Sequence, residues 1–231
     1  MFDSRPEVLQ GDAYVTCKLS TTQYEESRSE NQVQVRANPP TKMKSPKEPA
    51  QGDLKFFTEI PWCAKHLSRP DTTIWIPYWK RKDAPPQTNL LFTRSLNTPD
   101  TLPAVVACYQ KQAQDDALVD ELKAFVALGE GVGGFPGVLH GGVTMAVFDE
   151  VLGMIVDLNH ERGVLDDMFM TAYLNTSFVR PVPVPGTVLV TAKLVELGER
   201  KMLVAGAMQD ENETELANAE ALFVRVRAEK L

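Results

Sequence analysis

Between about residue 90 and residue 226, apolar and polar positions alternate in patterns that predict one helix and several strands. "GVLHGGVTMAVFDEVLGMIV", positions 137–156, is apolar almost throughout and interrupted by Asp149 and Glu150. It predicts a helix of about 25 Å with no polar stripe. Such a helix needs apolar enclosure nearly all round. The downstream segments "TAYLNTSFVRPV", "GTVLVTAKLVEL", "KMLVAGAMQD" and "ELANAEALFVRVR" read as strands. Within 187–195, Val188, Val190, Ala192 and Leu194 alternate with Leu189, Thr191, Lys193 and Val195, a period of two. "GERK" and "DENET" are turn-like connections between these runs. Upstream, "LLFTRSL" and "LPAVVACYQ" also read as strands. "DDALVDELKAFVALGEG" fits two elements: Leu118, Leu122 and Phe125 keep helical spacing, while "AFVAL" suits a buried strand. One long helix followed by an antiparallel meander is an α+β pattern. A strongly curved antiparallel sheet wrapped around one central helix would satisfy it.

The pattern fails at the other end of the chain. Residues 20–53 are polar with few large apolar side chains, and cannot bury enough surface to offset chain entropy. Residues 1–53 are therefore expected to form a disordered or loosely attached tail. Residues 54–89 form an N-terminal extension to a main domain of 90–231. In the extension, "PWCAKHLS" reads as a short helix with Pro61 in its first turn. The aromatic "TTIWIPYWKRK" reads as an element packed on the main core.

Composition changes this picture little. Of 231 residues 43% are hydrophobic and 24% charged, as in an ordinary soluble domain, and no run of about eighteen apolar residues predicts a membrane span. The first twenty residues contain no apolar stretch of secretory type, so a cytoplasmic location is expected. A net charge of −7 argues against a nucleic-acid partner. Cys17, Cys63 and Cys108 are scattered, which fits neither a disulfide framework nor a structural zinc site. Neither a metal nor an organic cofactor is expected.

Candidate chemistry gathers on the helix. Gly141 and Gly142 open it, where first-turn amides lack helical partners and the helix dipole adds partial positive charge. That is a place for a carbonyl oxygen that becomes negative during reaction. Asp149 is a carboxylate in apolar surroundings with no lysine or arginine within a turn, an environment that suits a general base or nucleophile. Glu150, a quarter-turn away, reads as structural or solvent-facing. Gly142 and Asp149 are seven residues apart, roughly 10 Å along the axis, so they cannot both reach one carbonyl in one subunit. An antiparallel second copy of the helix would bring them together, which predicts a two-fold dimer with shared sites. His140 reads as orienting the loop or bonding a ligand, because no serine or cysteine nucleophile motif accompanies it.

"HGGVTMAVFDE", followed by "MTAYLNTSFVRPVPVPGTVLVTAKL", resembles the hotdog-fold thioesterases of the phenylacetyl-CoA type, in particular their eukaryotic and fungal branch. The likeness runs from about Leu90 to Val226. It implies a hotdog fold and metal-free hydrolysis of acyl thioesters, typically acyl-CoA. It assigns water activation or nucleophilic attack to Asp149, carbonyl polarisation to the Gly142 N–H, and support of the aspartate or water to Thr171. Where some branches carry a polar side chain before the motif, this chain has Phe135 and Pro136, which suggests a more apolar acyl pocket. Arg180, Arg200 and Lys201 become candidates for coenzyme A phosphates, each weighed against a solvated surface charge.

The expected function is therefore hydrolysis of an acyl thioester, carried by coenzyme A or by an acyl carrier protein, in a homodimer or dimer of dimers. Two alternatives keep the fold. One is a dehydratase or isomerase acting on a thioester-bound chain. The other is a non-catalytic acyl-CoA-binding module, against which the aspartate at 149 argues.

Overall fold

The computed structural model describes residues 51–81, 89–114 and 116–226. The expected tail lies outside these residues except for 51–53, which open the first helix. The elements are α1 (Gln51–Thr58), α2 (Pro61–Leu67), β1 (Thr72–Trp75), β2 (Val105–Gln110), β3 (Glu121–Leu128), β4 (Gly133–Phe135), β5 (Val138–Leu139), α3 (Gly141–Glu161), β6 (Phe169–Phe178), β7 (Gly186–Leu197), β8 (Lys201–Gln209) and β9 (Glu215–Arg225). Seven strands form one antiparallel sheet in the order β1-β2-β3-β7-β8-β9-β6, and β4 and β5 form a separate hairpin. The 21-residue α3 lies against one face of the sheet, the architecture of a hotdog fold.

Period-two patterning puts Val188, Val190 and Ala192 of β7, Met202, Val204 and Met208 of β8, and Phe223 of β9 into the core shared with α3. The approach is closest at Gly206, where a Cβ would stand 2.6 Å from Leu152 Cδ1 and 3.1 Å from Phe148 Cδ1. A second apolar cluster covers the opposite face. There Phe57, Cys63 and Leu67 of α1 and α2 pack on Val106, Cys108, Phe125, Ala127 and Leu189. Strand β3 is thus buried on both faces, which is why "AFVAL" has no polar side and fitted two elements from sequence.

Buried polar contacts tie the extension down. The Asp53 carboxylate accepts from the Val105 N–H at 3.1 Å and lies 3.2 Å from the buried Lys80 ammonium. Arg81 forks onto Glu161 at the end of α3 through bonds of 2.8 and 2.9 Å, and the Trp75 indole N–H donates to the same carboxylate. In the aromatic segment Trp75, Ile76 and Trp79 are buried.

Two expectations are corrected. "LLFTRSL" is not a strand. Asn89, at φ +46°, turns the chain, and Leu91–Ser95 coil into a wide turn closed by Leu96 N–H on the Leu91 carbonyl. Only Phe92 of that run is buried, against Trp79, while Leu90 and Leu91 are half exposed. The central helix is also not enclosed all round: Gly142, Met145 and Asp149 on one side of α3 are exposed in the single chain. Beside that open side runs β6, paired with β9 only, which leaves its outer edge at the end of the sheet.

Candidate active site

Helix α3 begins at His140, which has extended backbone geometry. Its imidazole Nδ1 accepts the Gly142 N–H at 2.9 Å. The His140 carbonyl accepts from Val143 and Thr144 N–H at 2.9 and 3.0 Å. The first turn therefore holds its amides close together, and the one assigned to carbonyl polarisation is capped by the neighbouring histidine. His140 is fixed from behind by its own N–H on the Val132 carbonyl. It packs so tightly on Gly134 that a Cβ there would sit 2.9 Å from the His140 Cα. The Phe178 ring stands beside Gly141, where an added Cβ would meet it at 3.4 Å.

Two turns along α3, Asp149 Oδ1 accepts the Thr171 hydroxyl at 2.8 Å. A β-bulge makes this possible. Register on β9 advances one residue, Phe223 to Leu222, while β6 advances two, Thr171 to Tyr173. The extra residue turns Thr171 and Leu174, rather than Thr171 and Tyr173, onto the helix side of the sheet. Asp149 and Thr171 open on a pocket of about 450 Å³ that is also lined by Tyr78, Glu150, Gly153, Val156, Asp157, Phe169, Met170 and Phe223.

Glu150 and Asp157 are functional candidates that sequence reasoning passed over. Glu150 is half-buried rather than solvent-facing, and it accepts the Asn89 amide N–H at 2.7 Å. Burial pushes its carboxyl up to about 7, opposed by the Asn89 bond and reinforced by the Asp157 charge. Burial also pushes Asp157 to about 7, with the Glu161 charge adding to the effect. The Tyr78 hydroxyl, raised to about 12 mainly by burial, feels both carboxyls. The available signal was spacing. Glu150 and Asp157 are seven residues apart, so they share a helix face.

The other residues named from sequence lie elsewhere. Phe135 is 79% exposed at the tip of the β4–β5 hairpin and does not line the pocket. Arg180 follows β6 at its far end and donates to the Glu215 carbonyl at 2.7 Å. Arg200 and Lys201 lie near the first residues of β6: the Arg200 carbonyl accepts from Arg225 N–H, and Arg225 is paired with Phe169. The length of β6 separates these cations, so in one chain Arg180 and the Arg200–Lys201 turn are roughly 30 Å apart. They cannot clasp one phosphate group together. Burial pushes the Cys63 thiol up to about 12 and the Cys108 thiol to about 11, which leaves neither as a ready thiolate. Among the described residues, no three His, Cys, Asp or Glu side chains are grouped to hold a metal ion, and no helix is long and apolar enough to cross a membrane.

A long helix against one face of a seven-stranded antiparallel sheet is the α+β architecture of a hotdog fold. Comparison with known proteins agrees. A model described as the thioesterase superfamily matches residues 136–217. That stretch is similar to the thioesterase superfamily, and the curated relatives that match include acyl-coenzyme A thioesterases. It is 25% identical over 175 residues to verlamelin biosynthesis protein B of Lecanicillium sp, an alignment covering 64% of this chain and 76% of that one. It is 32% identical over 98 residues to the acyl-coenzyme A thioesterase THEM4 of Rattus norvegicus, covering 42% of this chain and 40% of the relative. Among solved structures, a putative thioesterase, yhdA, from Lactococcus lactis aligns with 20% identity and a TM-score of 0.43 over 46% of this chain and 79% of its own.

Proposed function

We propose that the protein hydrolyses an acyl thioester of coenzyme A or of an acyl carrier, in the cytoplasm, as a homodimer with two sites shared across its interface. The observation that carries the reading is the Thr171–Asp149 hydrogen bond at the mouth of the pocket. Thr171 donates to one carboxylate oxygen and leaves the other free to take a proton from water. The water oxygen attacks the thioester carbon, and the carbonyl electrons move onto oxygen. Collapse of that intermediate expels the thiolate, which receives the proton held by Asp149. No covalent enzyme intermediate is required.

The Gly142 N–H of the same chain lies about 10 Å from Asp149 along the helix, too far to share one carbonyl with it, and the open edge of β6 supports another source of the donor. Two β6 edges paired antiparallel about an axis between Leu174 and Asn175 would set Thr171 opposite Phe178 of the partner subunit. Phe178 sits beside Gly141 within each chain, so the same pairing brings Asp149 towards Gly142 of the partner subunit. The pairing would also cover Met170, Tyr173 and Phe178, which are 49%, 39% and 58% exposed in the single chain. The arriving carbonyl oxygen would displace the His140 imidazole from the Gly142 N–H, exchanging an N–H···N bond for N–H···O.

The test is thiol release from a panel of short, long, aromatic and β-keto acyl-CoAs by the wild type and by Asp149→Asn. Release by the wild type that falls at least about a hundredfold in the variant is expected for loss of a general base. Equal rates in the two proteins would remove Asp149 from the mechanism. An enoyl or hydroxyacyl thioester that is altered without releasing thiol would replace hydrolysis with lyase or isomerase chemistry.

A further inference from the structure

The pocket behind Asp149 is not the apolar tunnel that a plain hydrocarbon chain would call for. Three carboxyl groups and a phenol line it, and no lysine, arginine or histidine does. Two of the carboxyls have partners, Thr171 for Asp149 and Asn89 for Glu150. The third does not: among the described residues no group donates a hydrogen bond to Asp157. Asp157 is half-buried, and the surface it retains opens on the pocket. Of the cations that act on it, Arg81 is committed to Glu161 through two bonds and to the Ile76 carbonyl through Nε. His160 turns its Nδ1 to the Leu165 carbonyl. A half-buried carboxyl with no protein donor on either oxygen leaves its acceptors to whatever enters the pocket.

We propose that the pocket takes an acyl chain whose distal part carries a hydrogen-bond donor, a hydroxyl or an amine, and that Asp157 receives it with Glu150 and Tyr78 beside it. This rests on the hydrolase reading for where the thioester sits. Asp157 lies eight residues beyond Asp149, about 12 Å along α3. An extended chain with carbon–carbon bonds of about 1.5 Å advances about 1.3 Å per bond, so the donor falls roughly seven to ten carbons from the carbonyl. Gly153 lies between the two acids and leaves the groove clear, since a Cβ there would meet nothing closer than the Phe223 ring at 3.9 Å. Phe169, Met170, Val156 and Phe223 give the intervening methylenes apolar walls. A hydroxyl satisfies Asp157 whether the carboxyl is charged or protonated, because it can donate or accept. A terminal methyl does neither, and a terminal carboxylate meets only like charge.

The experiment compares decanoyl-CoA with its ω-hydroxy, ω-amino and ω-carboxy counterparts. It reads kcat/KM for thiol release, and separately Kd for the four non-hydrolysable thioether analogues by calorimetry. The ω-hydroxy or ω-amino chain is expected to show a kcat/KM at least tenfold above that of decanoyl and a Kd at least tenfold below it, with the ω-carboxy chain last, as for a site built around a ligand donor. In Asp157→Leu, and in the smaller Asp157→Ala if the leucine variant folds poorly, the ratio of hydroxy or amino to plain chain should fall towards one. Plain decanoyl bound and cleaved as well as or better than both donor-bearing chains would overturn the proposal. So would ratios that survive the loss of the Asp157 carboxyl. If no chain releases thiol but the donor-bearing analogues bind preferentially through Asp157, the hydrolase reading fails while the pocket assignment stands.

Discussion

Glu150→Gln separates what the pocket needs from what the fold tolerates. Burial raises the Glu150 carboxyl from its ordinary 4.5 to about 7, a preference for the neutral form of about 3 kcal/mol. The folded state therefore holds the proton more tightly than the unfolded chain does. The side chain's contribution to stability is complete below about pH 4.5 and is lost as pH rises through about 7. Glutamine keeps an oxygen for the Asn89 amide, which donates at 2.7 Å in the wild type, and cannot ionise. Its neutral hydrogen bond is weaker than one to a carboxylate by about 1 kcal/mol, which leaves a net gain of about 2 kcal/mol at pH 8. For a chain of this length that is about 4–8 °C in Tm. At pH 5, where the wild-type carboxyl is protonated, the two proteins should melt within a degree or two of each other. Melting curves of both proteins followed by circular dichroism at half-unit steps from pH 5 to 8 measure this difference. A Tm difference that stays flat across that range, or that turns against the variant at pH 8, would show that burial does not hold Glu150 neutral.

Asn159 is fully buried on α3, where its side chain bonds the Val119 N–H, the Val119 carbonyl and the Ile155 carbonyl at 2.8–2.9 Å. Asn159→Leu keeps the volume but strands both Val119 groups, at about 2–5 kcal/mol in all. Urea titration should register that loss, and a variant as stable as the wild type would mean that water or a backbone shift satisfies Val119. Gly206→Ala forces a Cβ to 2.6 Å from Leu152 Cδ1 in a layer with no free space. Overpacking of about 1–3 kcal/mol, set against a gain of about 0.4–1 from a stiffer unfolded chain, predicts a net loss. A Tm equal to or above the wild type would show that α3 can lift off β8 without penalty.

Strands β7, β8 and β9 and the long helix were legible because one face of each strand is buried and the other is not, so period two survives in the sequence. The glycine-rich helix start and the Asp149 carboxylate could each be located for a similar reason: both stand out in an otherwise apolar helix. Three things were not legible. "LLFTRSL" is apolar enough for a strand, yet its leucines stay half exposed, and a positive φ at Asn89 decides its shape. The bulge at Ala172 leaves no mark in composition, although it determines that Thr171 faces Asp149. Asp157 looked like an ordinary helix polar residue, because what makes it unusual is Tyr78, some eighty residues earlier, closing over the same pocket. In each case long-range packing supplied the information that local pattern lacked.

The double covering of β2 and β3 separates two boundaries that are easily treated as one. The stretch matched by the family model begins at residue 136, but strands that start at 105 and 121 form much of the sheet on which α3 rests. Their outer faces are dry only because α1 and α2 lie over them. A fragment trimmed to the recognisable stretch would lose those strands, and one trimmed only of the first eighty residues would present Val106, Cys108, Phe125, Ala127 and Leu189 to solvent as an adhesive apolar sheet. For this chain the segment that carries the family pattern is smaller than the unit that must fold.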